Sequence, residues 1–220
     1  MTAAISIDGL SKRYRGFALL TVPLMLAGCL AGSGPLVSES RDVRAFHRIE
    51  VRAGVRVAMR IGPAEALEVR AQQNLLDAIA TDVAGSTLTI DARQEFTSDE
   101  AATVTIVAPA LVAIALSGGA QATIEGLEEA SIEITIDGGS HATIIGSAER
   151  VELTCNGGST ADLSDLMART ITATLDGGAT ATVNASDDVT GSASAGSRLT
   201  VRGDPDVAVE TSGGAQVMGN

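Results

Sequence analysis

Aromatic side chains are nearly missing from this chain, which has no tryptophan, one tyrosine and three phenylalanines among 220 residues. Past residue 28 only Phe46 and Phe96 remain. Grooves for sugars and for single-stranded nucleic acid generally stack their ligands on aromatic rings, so the usual hardware of both is lacking. Histidine is equally scarce, with only His47 and His141. No segment past residue 28 carries Gly-x-Ser-x-Gly, His-Glu-x-x-His or a phosphate-binding Gly-x-x-x-x-Gly-Lys. These gaps argue against the common nucleophilic, zinc and nucleotide sites, and no catalytic residue, cofactor or metal is expected. Basic charge is low, with 15 Lys and Arg against 27 Asp and Glu. Such a chain repels nucleic acid, so no nucleic-acid partner is expected.

What the front of the chain does have is an export signal. Lys12, Arg13 and Arg15 precede an apolar run from Gly16 to Ala27, too short to span a bilayer as a helix. The run closes on Leu26-Ala27-Gly28-Cys29, which resembles the bacterial lipobox. That resemblance implies cleavage before Cys29 and diacylation of its thiol. It also implies outer-membrane anchoring in a Gram-negative host, because Leu30 stands where inner-membrane retention is associated with Asp. Removing residues 1–28 leaves 12 Arg against 26 acidic residues, a net charge of −14. With Cys29 lipidated, Cys155 has no partner and reads as a buried small hydrophobe. Residues 29–44, which include Gly32-Ser33-Gly34-Pro35, lack periodicity and read as a flexible tether. Residues 45–220 then form one domain.

The strongest pattern in that domain is a glycine doublet with Asp, Asn or Ser before it and Ala or Ser after it. It occurs at Ser117-Gly118-Gly119-Ala120, Asp137-Gly138-Gly139-Ser140, Asn156-Gly157-Gly158-Ser159, Asp176-Gly177-Gly178-Ala179 and Ser212-Gly213-Gly214-Ala215. Ser194-Ala195-Gly196-Ser197 keeps the phase with a degraded doublet, so the first position advances by 20, 19, 20, 18 and 18 residues. A fixed period of this length indicates a solenoid. Residues on either side alternate with period two, as strands do. Ile132, Ile134 and Ile136 are matched by Val151, Leu153 and Cys155, then by Ile171, Ala173 and Leu175, Val189, Gly191 and Ala193, and Val207, Val209 and Thr211. After the doublet, Ala122 and Ile124 are matched by Ala142 and Ile144, Ala161 and Leu163, and Ala181 and Val183. Two short strands cannot bury a core alone, but stacked copies can. The fold class is therefore all-β, a single-stranded right-handed parallel β-helix of one coil per 18–20 residues. Glycine suits the corners, where positive φ is needed and coils approach closely.

From Phe46 the alternation is weaker but present, with breaks at Gly54, Gly62-Pro63 and Gly85-Ser86. Asn74 to Ala80 fits one helical turn, with Leu75, Leu76 and Ile79 covering the end of the stack. Residues 93–102 read as a polar surface loop, and Ala102 to Val107 as a strand that ends at Pro109.

Phe46-His47-Arg48-Ile49-Glu50-Val51, Asn74-Leu75-Leu76-Asp77, Leu88-Thr89-Ile90 and the Ser/Asp-Gly-Gly coils resemble the family described as putative auto-transporter adhesin, head GIN domain. The resemblance covers roughly Phe46 to Met218. It implies an exported, often lipid-anchored β-helix with an adhesin label, and it supplies no functional residues to carry over.

One row of side chains invites chemistry: Ser117, Asp137, Asn156, Asp176, Ser194 and Ser212. Asp137 and Asp176 would stand two coils apart, ~9.6 Å between Cα atoms, near the upper edge of carboxylate spacing in inverting glycosidases. That spacing is too wide for one Ca²⁺ to bridge directly. Turn chemistry explains the row as well, because Asp, Asn and Ser before glycine bond the following backbone amides. Thr123, Thr143, Thr182 and Thr200 make one outward rank, broken by Asp162. Thr135, Thr154, Thr174 and Ser192 make another. Thr is β-branched and polar and suits an exposed strand. The expected function is a lipid-anchored, non-catalytic structural or adhesion-type module of the cell envelope that contacts a protein or glycan surface. A glycan-processing or glycan-binding β-helix using the Asp137, Asn156 and Asp176 face is one alternative. An envelope accessory that binds a protein by an open solenoid end is another, with weak end-to-end association of copies.

Overall fold

The computed structural model describes residues 29–219 except 53 and 99, so the expected signal peptide over residues 1–28 lies outside the described residues. The chain forms Leu30–Ala31 (β1) and Leu36–Ser40 (β2), then a first coil from Arg48–Val51 (β3) and Arg56–Ile61 (β4). Ala66–Gln72 (β5), a 3-10 turn at Gln73–Ala78 and Ile79–Ala84 (β6) follow. Thr87–Ala92 (β7), Phe96–Thr97 (β8) and Thr103–Ala108 (β9) make a second coil, and Ala113–Leu116 (β10) opens the Gly-Gly region. That region comprises Gln121–Ile136 (β11), His141–Cys155 (β12), Thr160–Leu175 (β13), Thr180–Ala193 (β14), Arg198–Gly203 (β15), Asp206–Thr211 (β16) and Gln216–Gly219 (β17). The result is a β-solenoid of about five turns.

From β10 onward each coil lies on the one before it, parallel and in the register the repeat implies. Ile134 pairs with Leu153, Leu153 with Ala173 and Ala173 with Gly191. Ala122, Ala142, Ala161 and Ala181 form the matching column on the other wall. Ile134, Ile136, Leu153, Cys155, Ala173 and Leu175 are at most 1% exposed, which makes the interior continuous and dry. Each large aliphatic buried there contributes roughly 1.5–3 kcal/mol.

Before β10 the coils do not stack in chain order. β3 pairs with both β7 and β10, and β4 with both β9 and β11, so the first coil laid down sits inside the stack. The second coil lies beneath it. Under that, β5 runs antiparallel to β9 and β6 antiparallel to β7, forming a reversed coil that closes the end. The 3-10 turn joins β5 to β6, and Leu75 and Ile79 are buried there, as the Asn74–Ala80 pattern anticipates. Arg41 clamps this cap. Its guanidinium donates to the carbonyls of Ile79 at 2.6 Å and Leu76 at 2.9 Å and to Thr81 Oγ1 at 3.1 Å, satisfying acceptors that a turn end leaves free.

The expected tether over residues 29–44 is largely part of the folded body. β2 adds antiparallel to β5, and β1 pairs with β8 inside the polar segment expected as a loop. Neither strand shows alternation, because both are short edge strands with mixed exposure.

Each doublet forms a tight turn with positive φ at both glycines, 61° and 75° at Gly138 and Gly139. The amide of Ser140 donates to the carbonyl of Asp137 at 3.2 Å. Positive φ at two successive positions favours glycine, which has no Cβ to clash there. Ala195 holds φ 49° at the degraded doublet, a conformation that costs an L-residue about 1–2 kcal/mol. Ala195→Gly removes that strain and adds unfolded-state entropy, so a net gain of about 0.5 kcal/mol is expected, read as a higher urea midpoint with an unchanged m-value.

Candidate functional site

The structure brings the Asp/Asn/Ser row together on one corner of the solenoid, each residue opening a turn and each coil ~4.8 Å above the last. Asn156 Nδ2 donates to Asp137 Oδ1 at 2.8 Å, and Ser194 Oγ donates to Asp176 Oδ1 at 2.7 Å. Ser117 Oγ donates to the Val51 carbonyl at 3.4 Å. These bonds run between coils, not to the backbone amide of the same turn as residue type suggests. The carboxylates therefore serve as acceptors that tie neighbouring turns. Asn156, between the two acids, replaces a like-charge contact with a hydrogen bond.

Surface concavities of about 180–450 Å³ are lined by residues other than Asp137, Asn156 and Asp176, and the one of about 450 Å³ reaches the foot of this corner at Gly118. Among the described residues no group of three His, Cys, Asp or Glu is placed to hold a metal. Arg150, Arg169 and Arg198 do not converge on the row: Arg169 pairs with Asp187 at 2.6 Å and Arg198 reaches Gln216 at 3.2 Å, both on exposed ground.

The two outward ranks lie in register. Thr123, Thr143, Asp162, Thr182 and Thr200 follow one another on one wall, and Thr135, Thr154, Thr174 and Ser192 on another. Asp162 interrupts the first for a local reason. Its Oδ1 accepts the Ser164 amide at 3.1 Å where β13 bulges, and bonding to Ser164 holds its carboxyl below the usual carboxylate range. His141 is exposed and its Nε2 lies 3.2 Å from Thr143 Oγ1. On the last coil Val207 and Met218 are 47% and 42% exposed.

Cys155 lies in the interior column between Ile136 and Leu175, with no solvent exposure. Burial pushes its thiol up to about 12. Cys29 is exposed and immediately precedes β1.

A family model described as "Putative auto-transporter adhesin, head GIN domain" matches residues 45–205. No protein among those with curated descriptions matches the chain. Solved structures share the fold at low identity. A putative adhesin from Bacteroides fragilis NCTC 9343 superposes with TM-score 0.72 and 17% identity, covering 87% of this chain and 100% of that one. A putative adhesin from Parabacteroides merdae ATCC 43184 gives 0.61 and 13%, covering 87% and 99%. A putative lipid binding protein from Parabacteroides distasonis ATCC 8503 gives 0.53 and 14%, covering 88% and 100%.

Proposed function

The chain belongs to the putative auto-transporter adhesin, head GIN domain family, and from that premise we propose that it is a non-catalytic contact module of the bacterial envelope, lipid-anchored through Cys29. One observation carries the reading: the Asp137, Asn156 and Asp176 row is spent on bonds between coils, while the outward walls present registered Thr, Ser and acidic side chains. Such walls bind by extended complementarity to a protein or glycan surface, with little energy per residue and many residues in contact. Export, the lipobox at Leu26-Ala27-Gly28-Cys29 and the adhesin names of its relatives agree with an outer-membrane place.

The test is direct. Purified protein is incubated with envelope polysaccharides and assayed for new reducing ends, then passed over immobilised glycans and envelope proteins. Retention without turnover, unchanged by Asp137→Ala or Asp176→Ala, is the expected result. Turnover abolished by either substitution would replace this reading with a glycan-processing one. Labelled lipid recovered on Cys29 by mass spectrometry checks the anchor.

A further inference from the structure

We propose that the capped end of the solenoid is the face held against the bilayer, with the Gly-Gly coils projecting away from it; this rests on the reading of Cys29 as the lipid anchor. The first support is the absence of slack after the anchor. The Leu30 amide donates to the Glu95 carbonyl at 2.8 Å and the Gly32 amide to the Thr97 carbonyl at 2.7 Å, which locks β1 to β8 from the first residue past Cys29. Leu30 packs against the core. Asn74, on the 3-10 turn of the cap, closes the staple from the other side. Its Nδ2 donates to the Ala31 carbonyl at 2.8 Å, and its Oδ1 accepts the Ser33 amide at 2.7 Å. A diacylated Cys29 would therefore enter the bilayer two residues from Ala31, where the cap first holds the chain, whereas a chain without pairing would let the domain tumble freely.

The second support is electrostatic and independent of the staple. Residues 30–110 carry 8 Arg and 11 acidic residues, a net −3, whereas residues 111–220 carry 4 Arg and 15 acidic residues, a net −11. An anionic leaflet repels negative charge over about 8 Å at physiological salt. Coils rise ~4.8 Å each, so the acidic ones clear that layer within two turns when the cap faces the lipid. Lying along the surface would keep them within it.

Orientation can be read on the diacylated full chain in vesicles of phosphatidylcholine and phosphatidylglycerol doped with a head-group nitroxide lipid. Fluorophores are placed one at a time on exposed positions, Asp77→Cys and Asp82→Cys at the cap, Asp206→Cys and Glu210→Cys at the far end. Buried Cys155 stays unlabelled, and two positions at each end guard against a single misfolded variant. Quenching at least threefold stronger at the cap than at the far end is expected. A twelve-residue Gly/Ser insert between Cys29 and Leu30, with a reach of roughly 20 Å, should abolish the difference. Equal quenching at the two ends, or stronger quenching at the far end, in protein that carries the lipid and floats with the vesicles, overturns the orientation and leaves the anchor intact. Protein that carries no lipid and stays off the vesicles overturns the anchor reading and this proposal with it.

Discussion

Gly146→Ala should cost more than about 3 kcal/mol, enough to unfold a domain of ordinary stability or leave it marginal. Gly146 sits in the long strand β12 at φ 147°, opposite Leu127 of the coil below. A Cβ there would lie 2.1 Å from the Leu127 carbonyl oxygen and 2.7 Å from its nitrogen. The obstacle is backbone held in a ladder, so relief requires the two coils to part, and that breaks the hydrogen bonds and apolar column on both sides. Gly158→Ala is the control. It shares the positive φ, 76°, but a Cβ there meets nothing within 4 Å. Its cost should stay near the 1–2 kcal/mol of the backbone conformation alone. Urea unfolding separates the two. Because each coil touches only its neighbours, a break at Gly146 should also lower the m-value as the stack loses cooperativity. Equal midpoints for the two variants would show that the coils yield at this contact.

The contrast between those glycines marks where local sequence stops being informative. The doublets are legible because the turn is local: two positive-φ residues between strands have few alternatives. The columns are legible because period two and a fixed repeat together leave one register, and Ile134, Leu153 and Ala173 fall where that register puts them. Close approach is not local. A Cβ on the first glycine of a doublet would stand 3.0–3.6 Å from the turn beneath at Gly138, Gly157 and Gly177, yet the second faces open space. The tightest contacts with backbone occur at Gly146, Gly191 and Gly203, which no motif marks. Gly191 reads as one more inward residue between Val189 and Ala193. Its φ of 128° and the Ala173 carbonyl, 2.0 Å from where its Cβ would stand, show a backbone contact instead.

Strand direction is hidden for a related reason. Alternation in Leu67 and Val69 or in Leu88 and Ile90 looks alike whether a strand runs parallel or antiparallel to its neighbour, so the reversed coil of β5 and β6 and the placement of β3 and β4 inside the stack could not be read from it. The candidate row behaves similarly. Asp137, Asn156 and Asp176 are turn residues by type, but their partners lie about 19 residues away and emerge only on stacking. Those bonds are what bears on function, because they use the acids for cohesion.

The second large effect concerns alkaline pH, where this protein has an unusual simplicity. Its one lysine and one tyrosine, Lys12 and Tyr14, both fall within the first 28 residues, so past them only cysteine, among side chains, titrates in the ordinary way between pH 9 and 12. In a Cys29→Ser background, Cys155 is the one thiol left. Unfolded, it ionises near its ordinary value of 9.0; folded, desolvation in the column between Ile136 and Leu175 pushes it up to about 12. The folded state therefore holds its proton more tightly, and the stabilisation this represents is complete below pH 9 and lost as pH rises toward 12. The linkage slope is about 1.4 kcal/mol per pH unit across that window. Stability measured by urea midpoint should fall steeply above pH 9, while the thiol stays unreactive toward disulfide reagents until the chain unfolds. Cys155→Ala should start about 1–2 kcal/mol lower for the lost packing and then remain flat over the same range. Parallel slopes in the two proteins would mean that the interior column admits water at Cys155, and the dry stack on which the coil-to-coil argument depends would have to be given up.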